Sequence, residues 1–392
     1  MAINPYRPGA GRSPLYLAGR EATISEAADS LEALGAGQSV RSIIYYGLRG
    51  VGKTVLLNHL ENLAEEYDVL TEYMEVSEQD ISFQKNMALY VYKLITQLSA
   101  SQQLKGYVKK ALGILKAFSL KYSDGDTSIT IDVDPLRGFA DTGDLANDTK
   151  ELLLALGKVA QAEGRGAAFF IDETQYLREN EFSALIEAVH RINQKNYPLA
   201  IYAAGLPKIT KIAGDAKSYA ERLFQFIEIA SLPHDAAKAA LSKPAGKYGV
   251  TYTDEALEKI LSITQGYPYF LQEYGSCVWE AKGEADCITK EIAEAAYPAF
   301  IKNLDEAFFK VRHDRATPRE LEFMTAMIKC EKLPCSTKEV AEHMGESPQK
   351  ISTLRAQLIH KGFIYPVERG LVSFTVPQFD EYLRRSCGLK KN

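Results

Sequence analysis

Two spacings of apolar residues alternate along the first 230 positions of the chain. Short runs rich in β-branched and aromatic residues read as buried strands, at 42–46 (SIIYY), 69–76, 167–171 (AAFFI), 199–204 (LAIYAA) and 225–229. Between them apolar residues recur three and four positions apart, as in Leu56, Leu57, Leu60 and Leu63, and predict helices at about 54–65, 83–98 and 145–161. Strands that alternate with helices imply a parallel sheet covered by helices on both faces, the α/β class. An opening arm carrying Pro5, Pro8 and Pro14 leads into a helix near 24–34. The stretch 104–145 fits the alternation poorly. A helix at 107–118 is followed there by alternating residues about an Asp124-Gly125 turn, which reads as a β-hairpin at 119–133 decorating the core. That hairpin has Lys121 but also Asp124, Asp126, Asp132 and Asp134, so a subunit or partner contact suits it better than DNA.

From 233 to 312 only helical periodicity remains, and these residues are expected to form a helical lid. A third pattern begins at Thr317-Pro318, where threonine caps a helix and proline opens it. Two short helices follow at 337–344 and 348–360, then strands at 363–367 and 371–376 about Glu368-Arg369-Gly370. Helix, helix, helix and ribbon make a winged helix, and the predicted division is a core at 1–232, a lid at 233–312 and the winged-helix domain at 313–392. Ser347 and Pro348 are expected to start the second of the short helices, whose stripe Ile351, Leu354, Leu358 and Ile359 faces the core. That leaves Lys350, Arg355 and Lys361, with Arg369 at the wing tip, to meet phosphates and base edges of a duplex; protein docking is the other use of such a face.

Charge sharpens this reading. The chain has 46 Lys and Arg against 51 Asp and Glu, a net charge of −5, too acidic for a global field that holds nucleic acid. The last 80 residues differ, with 13 basic against 10 acidic side chains. Hydrophobic residues at 46% and charged residues at 25% are ordinary for a globular chain and exclude disorder and repeat fibres. The five cysteines form no CxxC pair, the first residues lack a signal peptide pattern, and no apolar run is long enough for a membrane span, so the expected location is the cytoplasm, with reduced thiols.

The chemistry is concentrated in one octet. Gly47-Leu-Arg-Gly-Val-Gly-Lys-Thr54 matches the phosphate-binding loop GxxxxGK[ST] in full, after a strand and opening a helix. Gly47, Gly50, Val51 and Gly52 let backbone amides wrap the phosphates, with Val55 continuing the turn into the helix. Lys53 is expected to reach the β and γ phosphates of ATP, and Thr54 to hold Mg²⁺ through its hydroxyl. The second half is Phe169-Phe-Ile-Asp-Glu173, a strand ending in two carboxylates: Asp172 for Mg²⁺, and Glu173 to orient or deprotonate the attacking water. A further strand is expected between these two elements in the sheet.

With GRE at 19–21, FFIDETQYL at 169–177, AAGLP at 203–207, SYAERLF at 218–224 and GYPYFLQEYG at 266–275, the chain resembles AAA+ type P-loop ATPases over nearly its whole length. It is similar to the archaeal and bacterial ATPase families between the origin-recognition initiators and the STAND signalling ATPases. The resemblance implies that Arg20 and Glu21 lie over the adenine with Leu17 and Ala18. It also implies that Arg222 completes a neighbouring subunit's site in trans, unless it pairs with a local acid such as Glu221. Gly266, Tyr267 and Pro268 match an element that contacts nucleotide in STAND-like members, or simply open a helix. Two departures stand out: strand 199–204 ends in Ala-Ala-Gly without the polar residue that senses the γ-phosphate, and the helix after Gly266 has Gln272 and Glu273 but no second-sensor arginine. The function implied is a slow ATPase switch that couples ATP and Mg²⁺ to homo-oligomer formation and to double-stranded DNA through the winged helix. The alternative is a STAND-like signalling ATPase whose winged helix and insertion bind protein.

Overall fold

The computed structural model describes residues 3–77, 83–98, 105–122, 131–216, 220–368 and 370–388. The chain forms two compact units that interleave along the sequence. One holds residues 20–47 and 53–229, and the other 1–19, 48–52 and 230–392.

The first unit is built on a five-stranded sheet of β1 (Ser42–Tyr46), β2 (Leu70–Glu75), β3 (Ala167–Asp172), β4 (Leu199–Gly205) and β5 (Phe224–Glu228). The order is β2-β3-β4-β1-β5 and the pairs are parallel. The expected extra strand is therefore β4, lying between the strand that feeds the phosphate loop and the strand that ends in Asp172. Every residue of β3 and β4 is buried, which is why both read as unbroken apolar runs. Side chains alternate between faces: Phe169, Ile171 and Ile201 join the larger cluster, whereas Phe170 and Tyr202 stack on each other on the opposite face at 5.2 Å. The helices of this unit are α1 (Glu21–Gly35), α2 (Lys53–Glu66), α3 (Phe83–Leu98), α4 (Lys105–Tyr122), α5 (Leu145–Glu163), α6 (Glu179–Gln194), α7 (Lys208–Ala216) and the single turn α8 (Ala220–Leu223). Ser30 on α1 shares a 2.8 Å hydrogen bond with Tyr202, which places α1 against the second face.

The inserted stretch departs from the hairpin expectation. Residues 119–122 complete α4, with Phe118 against Tyr122 at 4.7 Å, and residues 131–133 are not in a strand; the Asp124-Gly125 turn lies outside the described residues. Helix wins there because Ile114, Leu115 and Phe118 bury a continuous stripe and Lys116 caps the returning chain, donating to the carbonyls of Ile131 (3.1 Å) and Val133 (2.7 Å).

In the second unit come α9 (His234–Gly246), α10 (Asp254–Thr264), α11 (Pro268–Ala281) and α12 (Lys290–Asn303), with the two-residue strands β6 (Thr251–Tyr252) and β7 (Cys287–Ile288) paired in parallel. The opening arm belongs here. Tyr6 is 3% exposed, its ring fills the space left by Gly275, and its hydroxyl donates to the carbonyl of Leu241 at 2.7 Å. Helix α12 runs into a π-helix at Leu304–Phe309 and then α13 (Lys310–Arg315).

The tail follows as α14 (Pro318–Lys329), β8 (Cys335–Ser336), α15 (Thr337–Met344), α16 (Ser352–His360), β9 (Ile364–Glu368), β10 (Leu371–Phe374) and α17 (Phe379–Ser386), with strands in the order β8-β10-β9. This is the element order expected of a winged helix. Thr317 and Glu320 form a reciprocal cap at the start of α14, as do Ser336 and Glu339 at α15. Helix α16 begins at Ser352, four residues later than expected. Residues 348–351 form a tighter turn instead: Lys350 N–H bonds back to Ser347 O at 3.0 Å, Ile351 drops into the core, and Ser352 Oγ donates to Gln349 O. The tail packs on the lid helices within this unit, through Gln378 Nε2 donating to Ile263 O at 2.6 Å and Arg385 pairing with Asp305.

Candidate functional site

Strand β1 ends at Tyr46 and α2 starts at Lys53, so residues 47–52 are the loop between them. Gly50 (φ 82°) and Gly52 (φ 93°) occupy left-handed backbone that other residues rarely adopt, and a Cβ on Gly52 would meet nothing within 4 Å. The loop's entry is tied to the end of β4, Gly47 N–H donating to Gly205 O at 3.2 Å. Lys53 Nζ donates to Gly47 O at 3.0 Å, so the buried ammonium is held over the loop at the mouth of a helix whose first amides point toward anions.

Thr54 Oγ1 donates to Asp172 Oδ2 at 2.6 Å, and the Tyr73 hydroxyl donates to the same oxygen at 3.2 Å. Glu173 N–H donates to Oδ1 at 2.7 Å. Asp172 is 2% exposed, and burial raises its pKa above the ordinary carboxylate range; the Thr54 hydrogen bond opposes the shift and the Glu173 charge adds to it. The folded state therefore binds more protons than the unfolded chain between the ordinary value and the raised one, so this carboxylate's contribution to stability falls as pH rises through that window. An Asp172→Asn chain without ligand is expected to be at least as stable as the native chain at about pH 7.5, with the difference shrinking toward about pH 4. Calorimetry at several pH values checks this; a variant less stable at neutral pH would refute it.

Glu173 itself sits at φ 54°, a left-handed turn that points the chain out of β3. Sequence reasoning missed its neighbours. Gln175, 3% exposed, binds the Glu173 carboxylate through Nε2 while its Oε1 accepts from Leu206 N–H at 2.9 Å. Thr174 Oγ1 donates to Ala204 O at 2.8 Å. Both side chains crowd Gly205, where a Cβ would stand 2.6 Å from Thr174 Oγ1. The strand end that lacks a polar side chain of its own is thus hydrogen-bonded to polar residues from the turn after Glu173. The only signal in the sequence was two polar residues directly after the acidic pair.

The other sequence candidates fall as follows. Arg20 is the residue before α1, 8% exposed, with its guanidinium pKa lowered by burial. Val55 lies in the first turn of α2. Arg222 is exposed on α8, and among the described residues no carboxylate pairs with it. Tyr267 precedes α11 and Pro268 is its first residue, so the segment does open a helix; the Tyr267 ring also lies against Gly50, where a Cβ would be 3.1 Å from its hydroxyl. In the tail, Lys350 is exposed and Arg355 half-buried, whereas Lys361 closes a 2.9 Å ion pair with Glu320, which is 2% exposed. Arg369 lies outside the described residues.

A parallel sheet in the order β2-β3-β4-β1-β5, with a glycine loop after β1 and a buried acid ending β3, defines a P-loop nucleotide-binding protein. The family model described as AAA ATPase domain matches residues 16–202, and the chain carries an AAA+ type P-loop ATPase domain. Residues 306–383 match a domain of unknown function, DUF8462. A search of the curated proteins gave no match. Among solved structures, a Walker-type ATPase of Pyrococcus abyssi is similar at a TM-score of 0.59, with 14% identity over 96% of this chain and 98% of that one. The Orc1 protein of Aeropyrum pernix, solved in complex with DNA, scores 0.48 at 14% identity over 95% and 94%. The Holliday junction branch migration motor RuvB of Thermotoga maritima scores 0.47 at 16% identity over 96% of each chain. At 14% identity the likeness to the Pyrococcus abyssi ATPase is one of fold alone. Among the described residues no helix is long and apolar enough to cross a membrane.

Proposed function

We propose that the chain is a cytoplasmic ATP-driven switch that binds and slowly hydrolyses ATP and transmits its nucleotide state to self-association and to duplex DNA. The observation that carries the ATP part is the Thr54–Asp172 pair at 2.6 Å behind a complete phosphate loop. A buried carboxylate with a raised pKa beside a hydroxyl is an all-oxygen donor set that suits Mg²⁺, and Thr54 and Asp172 would hold it. When bound, the ion supplies positive charge to the phosphate oxygens. The loop amides and Lys53 bind and orient the phosphates. Glu173, fixed by Gln175, orients a water and accepts its proton. Arg222, exposed and without an ion pair among the described residues, is available to a neighbouring copy's site, which makes self-association part of the cycle.

The DNA part rests on the winged-helix order of the tail and its basic excess, with Lys350 and Arg355 as the contacting residues and Arg369 at the wing. Core, lid and tail would then be the three working parts. The packing of the tail on the lid, through Gln378 and Arg385, favours a second reading in which the tail is an internal regulatory element and the partner is a protein.

Duplex binding by the native chain and a Lys53→Ala variant, with and without ATP, at two salt concentrations, separates the two. The first reading expects ATP-dependent affinity in the native chain that falls steeply with salt, and none of that ATP dependence in the variant. Oligomers that form with ATP and ignore duplex at both salt concentrations would select the second.

A further inference from the structure

Three features of the second unit converge on the phosphate-loop residues 48–52 it contains. The first is Arg312 on α13. Its guanidinium stands over the Phe308 ring at 4.3 Å and its Nη1 donates to Phe308 O at 3.3 Å. Phe308 stacks in turn on Tyr269 with centroids 4.3 Å apart and an 18° tilt, and Tyr269 N–H donates to Gly50 O at 3.3 Å. These contacts link Arg312 to the loop through two aromatic residues, Phe308 and Tyr269.

The second feature is its electrostatic company. Burial, with repulsion from Arg49 in the loop and from Arg315, lowers the Arg312 pKa to about 10. No carboxylate pairs with it among the described residues. Three acids on neighbouring segments are committed elsewhere: Glu273 to Asn303, Asp305 to Arg385, and Asp314 to Lys310. A half-buried guanidinium in the field of another of the same sign is an unfavourable arrangement that an anion would relieve.

The third is the Tyr267 hydroxyl, buried against Gly50 without a hydrogen-bond partner and within the fields of both Arg312 and Arg49. A buried hydroxyl normally finds an acceptor. An oxyanion lying on the loop would accept from the hydroxyl and sit in the positive field of both arginines.

We propose that Arg312, Arg49 and the Tyr267 hydroxyl form an anion site for the phosphates of a nucleoside triphosphate, a contact made from the segment that joins lid to tail. The inference rests on the reading of the loop as an ATP site and adds a contact that no residue of α11 offers. Its consequence is a short path to the tail. Phe309, the next residue of the π-helix, stacks on Tyr382 of α17 at 5.4 Å and packs against Phe379, so an anion that pulls on Arg312 pulls on the segment that seats the tail.

The test uses the full chain with Mg²⁺ and either ATP, ADP or inorganic pyrophosphate, read by titration calorimetry and by the midpoint of thermal unfolding. Arg312→Ala is expected to weaken ATP binding about tenfold or more, and to leave the ligand-free midpoint unchanged or raised, because a repulsive charge is gone. Arg312→Lys should restore part of the affinity, and Tyr267→Phe should lose about threefold to tenfold without moving the ligand-free midpoint. A purely structural role predicts the reverse, a lower ligand-free midpoint with ATP affinity intact, and that result overturns the proposal. An Arg312→Ala chain that binds ATP as tightly as the native chain removes this site alone. Native chain that binds no ATP at all removes both this site and the ATP reading beneath it.

Discussion

A Glu173→Gln chain is expected to bind ATP with unchanged affinity and to hydrolyse it at least a hundredfold more slowly than the native chain. The amide keeps the volume of the carboxylate and can still accept a hydrogen bond from Gln175 Nε2, so local folding should survive. What it cannot do is take a proton from water, and general-base catalysis of this kind contributes about 10²- to 10⁴-fold. Asp172 cannot stand in, because both its oxygens are engaged, by Thr54 and Tyr73 on one side and the Glu173 amide on the other. Single-turnover hydrolysis with radiolabelled ATP, alongside equilibrium binding, separates the two steps. Turnover within a factor of two of native would remove Glu173 from the reaction.

The largest expected effect on stability is at Gly266. Its φ of 69° is left-handed, and a Cβ there would stand 2.4 Å from the carbonyl oxygen of Leu232, whose own N–H donates to Gly266 O at 2.9 Å. Gly266→Ala must therefore pay for an unfavourable dihedral and also displace backbone that cannot give way without breaking that hydrogen bond. The combined loss is about 3 kcal/mol or more. Gly249→Ala is the matched control. Its φ of 75° is almost the same, but a Cβ there meets nothing within 4 Å, so the dihedral alone should cost about 1–2 kcal/mol. Urea unfolding of both variants checks the difference; equal losses would show that Leu232 yields freely.

The parallel sheet was legible because β3 and β4 are buried on both faces, which leaves continuous apolar runs that nothing else in the chain imitates. The phosphate loop and Asp172 were legible for a different reason, since the chemistry of holding phosphate and a divalent cation demands those residue types at that spacing. Local signals also set the ends of α14 and α15, where each cap is complete within four residues. Failure came where long-range packing overrode them. Alternation about Asp124-Gly125 suggested strand pairing from residue 119, yet the stripe Ile114, Leu115 and Phe118 extends α4 to Tyr122. Lys361 reads as a free cation at a helix end, and only the buried Glu320, 41 residues earlier, shows where its charge goes. Gln175 and Arg312 were invisible for the same reason: a glutamine beside an acid and an arginine in a charged segment carry no pattern, and each is distinguished only by what the fold brings within reach of it.

The long separation in sequence between Tyr6 and its seat sets a schedule during synthesis. Tyr6 is made well before its seat, the gap above Gly275, and before Leu241, its hydroxyl's acceptor. At about 5–20 residues per second of synthesis, the ring waits roughly 13 to 54 seconds for that seat to be made. During the wait the whole first unit, which ends at Ile229, has been translated and is free to fold around its sheet. The sheet of the first unit can thus form before the residues that seat Tyr6 have been made.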